Sequence, residues 1–282
     1  MKADAFWRPG IRDALAITDA QIHVWERVAI PGREHRKPPL GVAELLDEMK
    51  MAGVRRAILI PPSWAGDGNG LAVDAARAHP KSFAVIGRLP FGDPALRDTL
   101  KRWRPGNGML GFRLLFNTPE LVELLHGGSI DWIWPAAEER NIPLMILAYE
   151  SNDVLKRIAE QHPRLRLVLD HLGMTPGASG PEFRDRIDRL LTLASYPNIG
   201  VKATALPLYS EDEYPHLDVL GQIRLVIDAF SADRVFWGTD LTRLRCTYSK
   251  AVEMMGHLEW KDEHEVELVM GNAILTWLDW HA

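Results

Sequence analysis

The chain has 282 residues, of which 46% are hydrophobic and 25% charged, with a formal net charge of −5. This balance is typical of a globular protein and excludes the strongly basic surface that nucleic-acid binding requires. The sequence contains no stretch of about 18 consecutive apolar residues, so it predicts no membrane span. The single cysteine, Cys246, cannot form an internal disulfide. Because the N-terminal segment also lacks the unbroken apolar core of a signal peptide, we expect a cytoplasmic protein.

Eight short apolar runs recur along the chain. Each is rich in Val, Ile, Leu or Phe and mostly lacks strict alternation with polar residues, which is typical of strands buried on both faces of a parallel sheet. The runs cover 16–25, 55–62, 82–89, 109–116, 143–149, 165–173, 198–205 and 234–240.

Amphipathic segments separate these runs and predict helices. The first, 42–53, places Leu45, Leu46 and Met49 on one stripe and ends at Gly53, a residue typical of helix C-termini. The others cover 72–80, 94–103, 132–141, 151–163, 182–197 and 217–231, and 257–272 also has a helical pattern with Glu and His on the solvent side. Eight such units predict an α/β protein, a (β/α)8 TIM barrel forming a single domain over 1–282. An open doubly wound sheet with extra elements is the alternative.

Polar residues occur where the predicted strands end. His23 follows the first strand, His171 the sixth and Asp240 the eighth. In a barrel, the C-terminal strand ends meet at one mouth, where catalytic groups from different strands come together. Each residue alone has a structural explanation, such as a histidine bonded to the backbone. Their occurrence together predicts a catalytic site of His23, His171 and Asp240.

Other polar residues near the strand ends are candidate substrate contacts. They are Gln21, Ser63, Arg88, Arg113, Tyr149, Lys202 and Arg243, with Arg245 as a weaker candidate. Arg113 ranks first, because an arginine inside an apolar strand needs an anionic partner and its planar fork binds a carboxylate with two hydrogen bonds. The sequence therefore favours a small carboxylated substrate.

Several tryptophans adjoin the predicted site or the termini. Trp25, Trp64 and Trp237 could wall a pocket for a flat ring, or pack in the core. Exposed aromatic residues near the termini could mediate a homodimer, namely Phe6, Trp7, Trp277 and Trp280.

Three short motifs in order along the chain carry a family resemblance. They are D-x-Q-x-H-x-W from Asp19 to Trp25, D-H-L-G from Asp170 to Gly173 and W-G-T-D from Trp237 to Asp240. Together with G-F-R on strand 4, V-K-A-T on strand 7 and the segments 66–89 and 270–280, they resemble the amidohydrolase superfamily. Within it, the chain is similar to the amidohydrolase-related group that includes 2-pyrone-4,6-dicarboxylate lactonase. The resemblance implies a TIM-barrel hydrolase.

The departures from that family concern its metal site. The resemblance implies His-x-His on strand 1, a His on strand 5 and the strand-8 Asp as metal ligands, but position 21 is Gln21 and strand 5 has no histidine. Only His23 and Asp240 remain, whereas a Zn²⁺ site needs at least three strong protein ligands. We therefore favour an enzyme without a metal cofactor. If a divalent ion such as Zn²⁺ or Mn²⁺ binds, its ligands are His23 and Asp240.

The resemblance implies hydrolysis of a lactone or ester bond. Asp240 would act as general base on a water molecule, with its pKa suited to the working pH by partial burial. His23 and His171 would polarise the substrate carbonyl, and Gln21 would donate to the same oxygen or orient His23. Two alternatives remain open: a metal-dependent decarboxylase of an unsaturated or aromatic acid, and a barrel that binds a ligand without catalysis. Loops 26–40 and 205–216 would set specificity.

Overall fold

The computed structural model describes residues 7, 14–26, 38–65, 68–89, 91, 95–104, 106 and 108–281. These residues form one sheet of eight parallel strands in the order of the chain, β1 to β8. The strands are β1 Thr18–Ile22, β2 Arg56–Leu59, β3 Phe83–Arg88, β4 Met109–Phe116, β5 Leu144–Ala148, β6 Leu167–Leu169, β7 Ile199–Thr204 and β8 Val235–Gly238. Each lies within one of the eight predicted runs, so the predicted (β/α)8 TIM barrel is confirmed. That residues 1–282 form a single domain stays a prediction.

Helices connect the strands. They are α1 Val42–Ala52, α2 Gly70–Ala78, α3 Leu96–Lys101, α4 Pro119–His126, α5 Ile133–Glu139, α6 Asn152–Gln161, α7 Gly180–Leu191, α8 Leu217–Phe230, α9 Tyr248–Met254, α10 Glu263–Glu267 and α11 Ala273–Trp277. All seven predicted inter-strand helices are present. The predicted cap at Gly53 is also found, since this residue ends α1 in the left-handed conformation at φ 75°.

The structure corrects the prediction in two places. Helices α4, α9 and α11 were not predicted. Thr118 and Thr247 cap α4 and α9 by accepting hydrogen bonds from the backbone N–H groups of Leu121 and Lys250. In the segment 257–272, the helix begins only at Glu263 and passes into a π-helical turn, Leu268–Asn272. Glu265 is not on the solvent side: it is buried and accepts two hydrogen bonds from Arg224.

The apolar core has two layers. One cluster lies between the strands and the surrounding helices. The second gathers alternate strand residues inside the barrel, among them Ile58, Ile86 and Phe236, and extends to Trp280 after α11. Trp280 is therefore buried and cannot form the predicted dimer contact, and Phe6 lies outside the described residues. The homodimer stays a prediction.

No helix in the described part of the chain is long and apolar enough to cross a membrane. The cytoplasmic location stays a prediction.

A β-bulge in β1 directs side chains towards the mouth of the barrel. Asp19 pairs with Ala57 of β2, but Ile22 pairs with Leu59, so β1 has one extra residue between these two positions. Such a bulge reverses which side chains face the interior. Ala20 packs in the inner cluster, and Gln21 and His23, which follow it along β1, reach partners at the mouth.

The seam between β8 and β1 depends on a buried carboxylate. Asp19 accepts hydrogen bonds from the backbone N–H groups of Gln21 and Thr239 at 2.9 Å each, from the Thr239 hydroxyl, and from the Tyr248 hydroxyl of α9 at 2.7 Å. The Asp240 N–H donates to the Gln21 carbonyl at 2.9 Å. The residues that follow β8 are thus fixed against β1 next to the predicted catalytic groups.

The close approach at this seam requires a glycine at position 238. A Cβ atom there would lie 2.8 Å from Asp19 Oδ1 and 2.9 Å from the Ala20 and Gln21 nitrogens. We expect Gly238→Ala to lower the free energy of unfolding by about 1–3 kcal/mol, because the added methyl overpacks against the backbone. Chemical denaturation of the variant measures this change.

Gly221→Ala is the matched control, because position 221 lies within α8 and a Cβ there meets nothing within 4 Å. Alanine in a helix interior is expected to stabilise the protein by about 0.4–1 kcal/mol. If Gly238→Ala were as stable as Gly221→Ala, the seam would not need the close approach.

Candidate active site

His23 is held at the mouth of the barrel by two contacts. Its Nδ1 lies 2.6 Å from the Ile60 carbonyl oxygen and its Nε2 3.2 Å from Asp240 Oδ1. A carbonyl oxygen only accepts, so Nδ1 carries a hydrogen. A carboxylate also accepts, so the Nε2 contact is attractive when Nε2 carries a hydrogen as well. The Trp64 ring packs edge-on against the imidazole, with the centroids 5.4 Å apart.

Asp240 is almost completely buried and lies at the centre of the site. It has left-handed backbone angles, φ 49° and ψ 47°, which are uncommon for a residue with a side chain and occur often at functional sites. Its Oδ2 lies 3.8 Å from His171 Nε2 and 3.7 Å from Arg243 Nη1. Burial would raise the pKa of Asp240, but the hydrogen bond from His23 and the nearby positive charges hold it well below its ordinary value.

This low pKa differs from the expectation that partial burial would bring the pKa of Asp240 towards the working pH. The sequence indicated the burial but not the hydrogen bond and charges that act against it.

His171 lies in the turn Asp170–Gly173 that follows β6, also with a positive φ, 52°. Its Nδ1 is 2.6 Å from the Thr204 hydroxyl oxygen of β7, and its Nε2 is 3.4 Å from Arg113 Nη2. A guanidinium group only donates, so Nε2 accepts and the hydrogen is on Nδ1. Burial lowers the pKa of His171 to about 3, although the charges of Asp240 and Asp170 oppose this. The imidazole is therefore neutral near pH 7.

A buried charge network lies beneath these residues. Asp170 Oδ2 accepts from Arg113 Nε at 2.6 Å, and Asp170 Oδ1 lies 2.7 Å from Lys202 Nζ. Lys202 Nζ also donates to Gln21 Oε1 at 2.6 Å. Burial alone would raise the pKa of Asp170, but the two cations lower it strongly. The network joins β1, β4, β6 and β7 at one level of the barrel.

The network corrects the reason for selecting Arg113. The sequence suggested that this arginine needs an anionic partner and that a substrate carboxylate provides it. The partner is instead Asp170 of the protein itself, and the same carboxylate pairs with Lys202. A contact of either side chain with substrate stays a prediction.

The remaining candidate substrate contacts differ in how far their side chains are buried. Tyr149 follows β5, is half-buried, and its pKa is raised by burial; the charges of Arg243, Arg113, Asp170 and Asp240 also act on it. Arg243 is half-buried beside Asp240, and Arg88 pairs with Arg113 in the register of β3 and β4. Ser63 is exposed in a short turn after β2.

The three tryptophans have different roles. Trp64 contacts His23, as expected of a residue that lines a pocket. The Trp25 ring packs against the Trp64 ring, with the two centroids 6.1 Å apart. Trp237 is 2% exposed and belongs to the core between strands and helices, so the core-packing interpretation holds for that residue.

Asp19 and Asp170 were not among the predicted site residues. A usable signal existed for Asp170: a lysine and an arginine on buried strands each need a carboxylate, and Asp170 directly follows β6, one of the two strands between them. Asp19 had no comparable signal, because its partners are backbone N–H groups and the hydroxyl of an unpredicted helix.

The donor atoms available to a divalent metal are few. Among the described residues, no group of three or more His, Cys, Asp and Glu side chains could hold a metal ion. His23 Nε2 and Asp240 are two donors, but the lone pair of His171 Nε2 faces Arg113 and that of Gln21 Oε1 faces Lys202. Two strong ligands do not meet the minimum for zinc.

A comparison with protein families identifies the class. The family model described as Amidohydrolase matches residues 18–265, which include all eight strands and the site. The chain therefore belongs to the amidohydrolase family, and it is an enzyme, a hydrolase. It is also similar to L-fucono-1,5-lactonase of Burkholderia ambifaria, with 26% identity over 243 residues that cover 79% of each chain.

Solved structures with the same fold include a zinc-bound amidohydrolase from Burkholderia multivorans, with a TM-score of 0.78, 17% identity and coverage of 94% of this chain and 99% of that one. A putative 2-pyrone-4,6-dicarboxylic acid hydrolase from Pseudomonas putida has a TM-score of 0.72, 19% identity and coverage of 95% and 99%. A 5-carboxyvanillate decarboxylase from Sphingomonas paucimobilis has a TM-score of 0.63, 14% identity and coverage of 94% and 99%. At these low sequence identities, the three comparisons show that the fold is shared.

The low pKa of His171 predicts a pH dependence of stability. The unfolded chain binds a proton at this residue below its ordinary pKa of 6.5, but the folded chain does so only near pH 3. Between these values the unfolded state holds more protons, so stability falls as the pH falls, by up to about 1.4 kcal/mol per pH unit.

This loss should be absent from His171→Gln. We therefore expect the stability difference between the wild type and this variant to narrow from pH 6.5 towards pH 4, as measured by urea denaturation. His264→Gln, at an exposed position of α10, is the comparison variant, measured under the same conditions. A parallel pH dependence for wild type and His171→Gln would contradict a neutral buried imidazole.

Proposed function

We propose that the protein hydrolyses the lactone or ester bond of a small molecule without a metal cofactor. The observation that carries this proposal is the contact of Asp240 with His23 at 3.2 Å and His171 at 3.8 Å, at a barrel mouth that offers a metal too few ligands. A carboxylate base beside two imidazoles suits proton transfers at an acyl group. The similarity to a lactonase supports the choice of bond.

Asp240 acts as the general base in this proposal. Its low pKa keeps the carboxylate ionised, but it also makes the group a weak base while His23 donates to it. If a substrate carbonyl accepted the hydrogen bond from His23 Nε2 in place of Asp240, the carboxylate would lose the contact that weakens it as a base. Substrate binding would then raise the basicity of Asp240 as it activates the carbonyl for attack by water.

His23 stabilises the oxyanion that forms at the carbonyl. The Ile60 carbonyl fixes the ring through Nδ1, so Nε2 needs no reorientation when charge develops on the substrate oxygen. Trp64 packs against the same ring and limits its movement. Gln21 carries a second buried donor, Nε2, which has no partner among the described residues.

His171 moves a proton in the second half of the reaction. Its neutral Nε2 can donate only after it has taken a proton, and Asp240 Oδ2 at 3.8 Å is the group that can supply one. Water gives its proton to Asp240 and its oxygen to the carbonyl carbon. The acyl C–O bond then breaks, and the leaving oxygen takes the proton through His171, which yields a hydroxy acid.

A carboxylate on the substrate would be bound by Arg243. Of the arginines predicted to bind substrate, it is half-buried beside Asp240, whereas Arg113 has Asp170 as its partner. Tyr149 keeps its proton because its pKa is raised, so it can donate a hydrogen bond. Arg88 and Ser63 stay weaker candidates.

Decarboxylation is the second candidate, favoured by the shared fold of a decarboxylase. The resemblance makes that chemistry depend on metal ligands that this chain lacks, so we rank it second. Stoichiometric zinc or manganese in the purified protein, with release of CO2 from aromatic or unsaturated acids, would reverse the ranking. A barrel that only binds would hydrolyse no lactone, with or without Asp240.

Asp240→Asn tests the proposed base. The amide keeps the size of the side chain but cannot accept a proton from water, so we expect kcat/KM on the best lactone of a panel to fall by about 10²–10⁴-fold. The panel contains sugar lactones, pyrone carboxylates and linear carboxylate esters, and ring opening is followed by pH-indicator absorbance.

Asp74→Asn is the matched control, since Asp74 lies on the exposed surface of α2 in a weak pair with Arg77. It should keep the wild-type kcat/KM. Undiminished hydrolysis by Asp240→Asn would remove Asp240 from the mechanism, and inactivity of the wild type on the whole panel would favour the binding-only alternative.

A further inference from the structure

Position 21 is where the family resemblance implies a metal-ligating histidine, and the side chain there faces an ammonium group. Gln21 Oε1 accepts from Lys202 Nζ at 2.6 Å. Both side chains have no exposed surface. The amide oxygen of residue 21 therefore lies against a positive charge, and its other polar atom, Nε2, presents hydrogens that repel a cation.

Lys202 is held in place from the opposite side as well. Its Nζ lies 2.7 Å from Asp170 Oδ1, and Arg113 Nε holds the other oxygen of that carboxylate at 2.6 Å. The ammonium is thus fixed between β1 and β6 by two contacts at the level of the catalytic residues. A group held this firmly in the core keeps its position without substrate.

Positively charged groups already lie beside both buried carboxylates at the mouth. Lys202 Nζ lies 2.7 Å from Asp170 Oδ1, and Arg243 Nη1 and His23 Nε2 lie 3.7 Å and 3.2 Å from the oxygens of Asp240. A divalent cation added to this group would bring two more positive charges into a buried site, which is costly. Removing Lys202 lowers that cost, because it removes the ammonium group that lies next to the Asp170 carboxylate.

We propose that Lys202 is a built-in cation that takes the place of a catalytic metal and excludes divalent ions from the barrel mouth. Lys202 acts here as a positioning residue: it orients the Gln21 amide and pairs with the Asp170 carboxylate. The inference concerns metal binding and does not depend on which bond the enzyme cleaves.

The experiment converts the site to a metal site in two steps. Gln21→His supplies an imidazole next to His23 and Asp240, which completes three ligands, and Lys202→Met removes the ammonium. Zinc content after dialysis, measured by plasma mass spectrometry, should be about one per chain for the double variant and close to zero for the wild type. The zinc dissociation constant of the double variant should be on the order of 100-fold below that of Gln21→His alone.

The controls separate charge from side-chain size. Gln21→His with Lys202→Arg keeps a cation and should bind no zinc. Gln161→His with Lys50→Met changes the same residue types at exposed helix positions and should also bind none. Circular dichroism shows whether the Lys202→Met variant folds. If it does not fold, Lys202→Gln is used in its place, because the glutamine amide can still donate a hydrogen bond to Asp170.

Three outcomes would overturn the proposal. They are stoichiometric zinc in the wild type that is lost in His23→Ala, equal zinc affinity of Gln21→His with and without Lys202, and a folded double variant that binds no zinc. A wild type that is inactive on every lactone but excludes zinc would contradict the proposed function and leave the role of Lys202 intact.

Discussion

The site depends on one buried carboxylate, Asp170, and on the two cations that flank it. The carboxylate, the lysine and the arginine have little or no contact with solvent, so each would be costly to bury without the others. Removing a partner would leave a charge in a medium of low dielectric constant, where it would act on every neighbouring titratable group. Arg113 also acts on His171: together with burial, its positive charge lowers the pKa of that imidazole and keeps it neutral.

Backbone geometry places these groups as much as side-chain pairing does. The bulge in β1 turns Gln21 and His23 into the barrel, and the left-handed conformations of His171 and Asp240 turn the chain sharply at the ends of β6 and β8. These conformations persist because the surrounding structure holds them: the carboxylate of Asp19 binds the residue before Asp240, and Thr204 binds His171. Strain is thus located at the residues that carry the chemistry.

The sequence predicted the barrel well because hydrophobic periodicity reports burial directly, and all eight strands lie inside the predicted runs. It also predicted that His23, His171 and Asp240 lie close together, since strand ends converge in a barrel. It did not predict α4, α9 and α11, and the threonine caps of the first two are short local signals. It did not predict that Arg113 and Lys202 pair with Asp170, because a pattern cannot show which of several acids lies within 3 Å of a buried cation.

The charges at the mouth also limit the substrate. Arg113 and Lys202 pair with Asp170, and Arg243 lies 3.7 Å from Asp240, so a second substrate carboxylate would compete with a carboxylate of the protein for its cation. A neutral lactone or a monocarboxylate adds at most one negative charge beside Arg243. A second carboxylate would lie near Asp240 and raise the energy of the anionic transition state. Within our proposal, the internal pairing of Asp170 therefore favours lactones with one carboxylate or none over pyrone dicarboxylates.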